Sequence, residues 1–326
     1  MRGSIRSLVA SLLLLVAMAG WAADDDKVAG SARAELATAF EAARPVAQHG
    51  PVDIALRDQA TLHMPAGFTF IPAKESAAVL RAMGNRTGDN LLGMIWPAKE
   101  DTGFLVLQYI KSGYIKDDDA KEWNADDMLA NLKAGTEEAN SDRKSRGIPE
   151  MEITGWVERP TYDAGAHQLK WSVASKDKGA SDSGDKGINY NTYALGREGF
   201  ISMNLVTDLN VVESQKPLVS KLLSGLAFGS GKGYVDFNAS TDHMAEFGLA
   251  ALIGGVAAKK LGLLALAGVF IAKFFKVIMI GLVALAAGWA RYFRKKPAAP
   301  APVAMSGGSL PEPEKSAEDP TIPKQG

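Results

Sequence analysis

The chain has 326 residues, 36 Lys and Arg against 37 Asp and Glu, 47% hydrophobic residues and no cysteine. Without cysteine, thiolate nucleophiles, iron–sulfur clusters, Cys-ligated zinc and disulfides are excluded. The net charge of −1 conceals −9 over residues 24–246 and +8 over residues 247–296, and the acidic middle excludes a phosphate-binding nucleic-acid surface.

Residues 1–22 read as a signal peptide. Arg2 and Arg6 form its positive start, residues 8–19 are apolar, and Ala17-Met18-Ala19 or Gly20-Trp21-Ala22 offers small residues for cleavage. An uncleaved anchor is the second reading, although a span needs about 20 apolar residues. Residues 23–45 form a helical lead-in, with Leu36 and Phe40 on one face and Pro45 as the stop. From Val52 the pattern is strand-like. Residues 60–64 precede the turn Pro65-Ala66-Gly67, and Phe68-Thr69-Phe70-Ile71 follows it. Residues 75–83 are helical. Residues 91–96 and 104–111 are apolar strands around a turn at 99–103.

Asn124 with Asp127 caps a helix that runs to about Ser145, where Gly147-Ile148-Pro149 stops it. Residues 151–158 and 166–175 form a hairpin across Arg159-Pro160-Thr161-Tyr162-Asp163. In its second strand His167, Leu169, Trp171 and Val173 alternate with polar residues, so one face packs. Residues 176–187 read as a mobile loop. Residues 188–195 and 200–207 flank Gly196-Arg197-Glu198-Gly199, a hairpin loop. Residues 211–223 are a closing helix, Leu226-Ala227-Phe228 leads out, and 229–233 is a linker. Strands with hairpin connections, interrupted by single helices, make an α+β fold with an antiparallel sheet over residues 46–242. That helix-closed layout is similar in shape to the Mog1/PsbP-like fold.

Residues 247–293 hold no acid. Lys259, Lys273 and Lys276 share about one third of a helix circumference at ~100° per residue. Residues 243–272 are therefore expected to be a membrane-associated amphipathic helix, and 273–293 a transmembrane helix. A hairpin of two short helices is the competing arrangement. Lys276 sits near one end of the span, and Trp289, Tyr292 and Phe293 mark the other. The signal peptide places the domain outside and the basic flank and tail, 294–326, in the cytoplasm. Residues 297–326 hold seven of the 15 prolines and read as disordered.

The sequence offers little chemistry. His49, His63, His167 and His243 lack metal spacing. Gly229-Ser230-Gly231-Lys232-Gly233 is not a phosphate loop, because Leu226 and Gly233 stand where Gly and Ser or Thr belong. Two Ser-x-x-Lys matches, at Ser141 and Ser183, lack their companion motifs. Six carboxylates fall within 11 residues at Asp117, Asp118, Asp119, Glu122, Asp126 and Asp127. They suit a hard cation, but acids at a helix start also serve its dipole. Asn189-Tyr190-Asn191-Thr192-Tyr193, leading into Arg197 and Glu198, could bind sugars or peptidoglycan pieces, or form one face of a half-exposed strand. The ligand-binding candidates are Asp117, Asp118, Asp119, Asn189, Asn191, Arg197 and Glu198. No cofactor and no metal site is expected.

Several strings resemble the bacterial membrane-anchored family defined by domain of unknown function 2167. They are Pro65-Ala66-Gly67-Phe68, Leu91-Leu92-Gly93, Ser112-Gly113-Tyr114-Ile115-Lys116-Asp117-Asp118-Asp119-Ala120-Lys121 and Gly155-Trp156-Val157. Asn189 to Gly199, Asp236-Phe237-Asn238-Ala239-Ser240-Thr241-Asp242 and Ala257-Ala258-Lys259-Lys260-Leu261-Gly262 continue the likeness. It implies an exported domain with a C-terminal anchor, and it implies no catalytic residue. The expected protein is a single-pass bacterial inner-membrane protein with a periplasmic, non-enzymatic binding or interaction module. Its partners are the lipid bilayer and other envelope proteins. The alternatives are an envelope-acting enzyme using Asp117, Asp118, Asp119 and Arg197, and a subunit of a larger membrane complex whose Ala284 and Gly288 pack helices.

Overall fold

The computed structural model describes residues 34–98, 103–145, 147–182 and 186–253. The expected signal peptide, the expected transmembrane helix 273–293, the expected tail and most of the expected membrane-associated segment 243–272 lie outside these residues. No described helix is long and apolar enough to cross a membrane.

Helix α1, over 34–43, is followed by β1 (Gln48–His49), β2 (Val52–Leu56), β3 (Ala60–Met64), β4 (Phe68–Pro72) and α2 (Ala73–Ala82). Then come β5 (Leu91–Pro97), β6 (Phe104–Ile110), α3 (Ala125–Ser145), β7 (Met151–Asp163) and β8 (Gln168–Asp177). The chain continues through β9 (Gly187–Leu195), β10 (Phe200–Asp208), α4 (Val212–Ser224) and β11 (Leu226–Phe228). An eight-stranded sheet runs β1-β4-β5-β6-β10-β9-β8-β7, and a three-stranded sheet runs β11-β3-β2. Every named pair is antiparallel, so the α+β reading with an antiparallel sheet holds.

Both faces of the large sheet are covered, which is why its central strands read as unbroken apolar runs rather than alternating ones. One face carries Leu105, Leu107, Met203, Leu205 and Tyr190, packed against Leu62 and Met64 of the small sheet and Val219 and Leu222 of α4. The other face divides. At one end, Val79 and Leu80 of α2 and Leu36 of α1 meet Met94, Phe104 and Val206. At the other, Met128 and Leu132 of α3 meet Ile153, Leu169, Trp171 and Phe200. Each such side chain contributes about 1.5–3 kcal/mol by leaving water.

The Asn124 cap forms as expected: its Oδ1 accepts from the N–H groups of Asp126 (2.9 Å) and Asp127 (3.4 Å). Four local expectations are corrected. The β7–β8 turn falls at 164–167, not across Arg159 to Asp163. Asp163 Oδ1 accepts from the N–H groups of Gly165 (2.9 Å) and Ala166 (3.1 Å) and sets the turn there. Pro160 stays in the strand because the register shifts between Glu158 and Thr161, where its missing N–H costs no ladder bond. Leu226-Ala227-Phe228 does not lead out but pairs with β3. Residues 229–233 are not a free linker: the Gly229 N–H donates to Gln59 O (2.9 Å), and Gly233 bridges Gly196. The packed body also extends past residue 242. Leu249, Leu252 and Ile253 are buried in the α3-side core, so the start of the expected membrane-associated segment belongs to the domain.

Candidate functional site

The strap, residues 229–253, crosses one end of the sheet and gathers most of the candidate residues. The β9–β10 hairpin supplies Arg197 and Glu198. Gly196 closes it by donating its N–H to Gly199 O (2.7 Å). The Arg197 guanidinium grips Asp242 in a fork: Nε donates to Oδ2 (2.6 Å) and Nη2 to Oδ1 (2.7 Å). Its Nη1 donates to Gly231 O (3.1 Å). This bidentate geometry is the strong form of a carboxylate–guanidinium pair.

Arg197, and then the Asn238 N–H (2.7 Å), hold the Asp242 carboxyl far below the usual carboxylate range. Its contribution to stability is therefore complete above the unfolded carboxylate pKa of about 4. That contribution fades as pH falls through the lower folded value. Glu198 Oε1 accepts from Lys232 Nζ (2.7 Å), which also lies 3.4 Å from Asp58 Oδ2. All these groups are partnered within the chain.

The segment after β6 makes the second set of fastenings. Gly113, at φ +85°, donates its N–H to Glu198 O (3.0 Å). Tyr114 then runs beside the strap: its N–H donates to His243 O (2.9 Å), and its C=O accepts from the Ala245 N–H (2.8 Å). The Tyr114 ring stacks between Tyr234 (4.5 Å) and Phe237 (3.8 Å), and Tyr234 also faces His167 (4.3 Å). Tyr234 Oη donates to Ile115 O (2.8 Å).

The acidic run is dispersed rather than convergent. Asp117 Oδ2 accepts from Tyr162 Oη (2.7 Å). Asp119 caps the strap's last turn, with Oδ1 accepting from the Leu249 N–H (3.1 Å) and Oδ2 from the Ala250 N–H (3.0 Å). Asp118 is exposed, and Asp126 pairs with Arg159 (3.1 Å). Among the described residues, no group of three or more His, Asp or Glu is placed to hold a metal ion. Burial, reinforced by the bond to Asp117, pushes the Tyr162 phenol far above its usual range. Burial does the same to Tyr234. Both stay protonated donors at neutral pH, so neither serves there as a base.

Asn189 and Asn191 lie elsewhere, buried in β9. Asn191 Nδ2 donates to Asn189 O (3.3 Å), and Asn204 Nδ2 donates to Asn189 Oδ1 (3.4 Å). The seven candidates thus divide. Arg197, Glu198, Asp117 and Asp119 meet around the strap, Asp118 points to solvent beside them, and Asn189 and Asn191 sit on the sheet floor. Sequence reasoning missed Tyr114, Tyr162, Tyr234 and Asp242 as members of the strap assembly. Two of the strings quoted above, 112–121 and 236–242, are the segments that meet there. Their co-occurrence was the available signal.

A family model described as "Protein of unknown function (DUF2167)" matches residues 48–286. No curated protein matches the chain. Among solved structures, the solution structure of cyanobacterial PsbP (CyanoP) from Synechocystis sp. PCC 6803 is similar with a TM-score of 0.33 and 11% identity. It covers 56% of this chain and 91% of that one.

Proposed function

The chain belongs to the DUF2167 family, and from that premise we propose that it is a membrane-anchored, exported binding or interaction module of the bacterial envelope that performs no catalysis. In this reading residues 1–22 are the export signal, 273–293 the single span, and 294–326 the cytoplasmic flank and tail. The domain faces the periplasm.

The observation that carries the proposal is the use made of the polar candidates. Arg197, Asp117 and Asp119 are each engaged in fastening the strap or the loop beneath it. A catalytic carboxylate or guanidinium needs to be available to substrate. A strap held by a forked ion pair, a stacked aromatic trio and a capped last turn instead ties the domain to the chain that approaches the membrane. The acidic domain and the cationic segment after it fit the same division between water and lipid surface.

The absence of native cysteine makes topology directly testable. Ala239→Cys and Ser306→Cys are labelled separately in intact spheroplasts with a membrane-impermeant maleimide. The expected result is labelling of Ala239→Cys at once and of Ser306→Cys only after lysis. Immediate labelling of both, or of Ser306→Cys alone, overturns the topology.

A further inference from the structure

Among the described residues, four large apolar side chains are exposed: Val46, Leu209, Val235 and Met244. Val235 is the most exposed, at 80%, and it shares the strap with Met244. Apolar side chains scattered singly over a surface are ordinary, but these two gather around Tyr114. Tyr114 pairs with Met244 in a parallel bridge. Its ring stacks on Tyr234 (4.5 Å) and Phe237 (3.8 Å), which bracket Val235 in sequence. Tyr114, Phe237 and Phe247 are themselves only partly covered, so the strap carries an apolar fringe.

The fringe is held rigidly. Tyr234 is turned inward by its bond to Ile115 O (2.8 Å), and Asp236 Oδ2 accepts from the Gly233 N–H (2.9 Å). With both neighbours of Val235 fastened in this way, its side chain is presented outward at little further cost in ordering.

The chain beyond the strap says what lies against this fringe. Ile253 is fully enclosed in the core at the strap end of the sheet. Gly254-Gly255-Val256-Ala257-Ala258 follows at once, then Lys259-Lys260, then the uncharged run 261–272. No hydrophilic linker intervenes. Eight residues separate Ile253 from Leu261, a reach of at most about 29 Å when fully extended. The opposite end of the sheet is a whole strand away. Leu209, just past the far end of β10, lies about 25–30 Å from the Gly196 to Gly199 hairpin. A domain on so short a leash meets a membrane with its strap end.

We propose that this end of the domain rests on the bilayer, with Val235 and Met244 seated among the lipid headgroups. Partly covered aromatic rings such as Tyr114 and Phe237 suit the same interfacial layer. Charges of both signs are mixed along this end, as at Lys116, Lys121, Asp118 and Glu246. Apolar contact therefore holds the domain down rather than attraction to anionic lipid. The contact need only be weak, since the tether makes it intramolecular. The inference rests on the reading of residues 273–293 as a span and gives the tethered domain its orientation.

The chain has no cysteine, so Val235→Cys, Met244→Cys and Leu209→Cys each carry one environment-sensitive fluorophore. The full-length variants are reconstituted into vesicles of phosphatidylethanolamine and phosphatidylglycerol, with and without a lipid bearing a nitroxide near the top of its acyl chain. The nitroxide should quench the probes at Val235→Cys and Met244→Cys and leave that at Leu209→Cys bright. High salt should not relieve the quenching, because screening acts on charge and not on apolar contact. Vesicle-bound protein with no quenching at positions 235 and 244 overturns the inference and leaves the anchor standing. Equal quenching at all three positions, or quenching abolished by salt, also overturns it. A blue-shifted but unquenched probe at Val235→Cys overturns it in favour of a second copy covering the strap. Protein that fails to float with the vesicles overturns the anchor itself.

Discussion

Leu252→Ala is expected to lower the stability of the domain by about 2–5 kcal/mol. Leu252 is 1% exposed, and Leu249 and Ile253 beside it are fully enclosed. They pack with Ile110, Leu169, Trp171 and Phe200, so the truncation opens a hole against a rigid sheet rather than against lipid or water. Urea unfolding of the full chain in detergent, followed by tryptophan fluorescence, measures the loss, with Trp171 in the affected cluster as a local reporter. If Leu252 were seated in the membrane, the domain's unfolding midpoint would not move. A shifted midpoint therefore also fixes where the packed domain ends.

A second large effect is expected at Gly199. It sits at φ +156° where the β9–β10 hairpin crosses the end of β6. A Cβ added there would lie 2.0 Å from Ile110 O and 3.0 Å from the Ser112 N. Both atoms are backbone, so no side chain can rotate away. Gly199→Ala must push the hairpin from β6 and weaken the neighbouring bond from the Gly113 N–H to Glu198 O. Strained backbone of this kind costs about 1–3 kcal/mol before any lost packing is added. Gly67, also at positive φ but with nothing within 4 Å of its added Cβ, is the control. Thermal melts of Gly199→Ala and Gly67→Ala should show the larger drop at Gly199. Equal drops would show that dihedral strain, and not the close approach, governs both.

The sequence patterns that proved informative are local ones. The Asn124 cap, the Gly196 to Gly199 loop and the apolar strands each depend on residues a few positions apart, and each appears where the pattern places it. Pro160 misled for a physical reason. Proline ends a strand in isolation, but a register irregularity lets one pass. The three-residue strand β11 is too short to show a period, and only its partner β3 identifies it.

The strap was illegible for two different reasons. An apolar run such as Phe247-Gly248-Leu249-Ala250-Ala251-Leu252-Ile253 satisfies a core as well as a bilayer, because both remove it from water. The Arg197–Asp242 fork joins residues 45 apart, and no spacing rule links them. The buried polar row of the large sheet was half legible. Asn189 and Asn191 stood out as an alternating pair, but Gln108, Ser202 and Asn204 join them only through strand register.

The central claim is that the charged candidates fasten the strap and do not act on a substrate. It is tested most directly by a double-mutant cycle on Arg197→Ala and Asp242→Ala, read as the melting temperature of the full chain alongside any growth or envelope phenotype of the strain. Each single change is expected to lower the melting temperature, with the double variant no worse than the more damaging single one, because both remove the same fastening. A phenotype should follow the loss of stability. Full thermal stability in Arg197→Ala together with complete loss of the phenotype would contradict the account and return Arg197 to the role of a catalytic group.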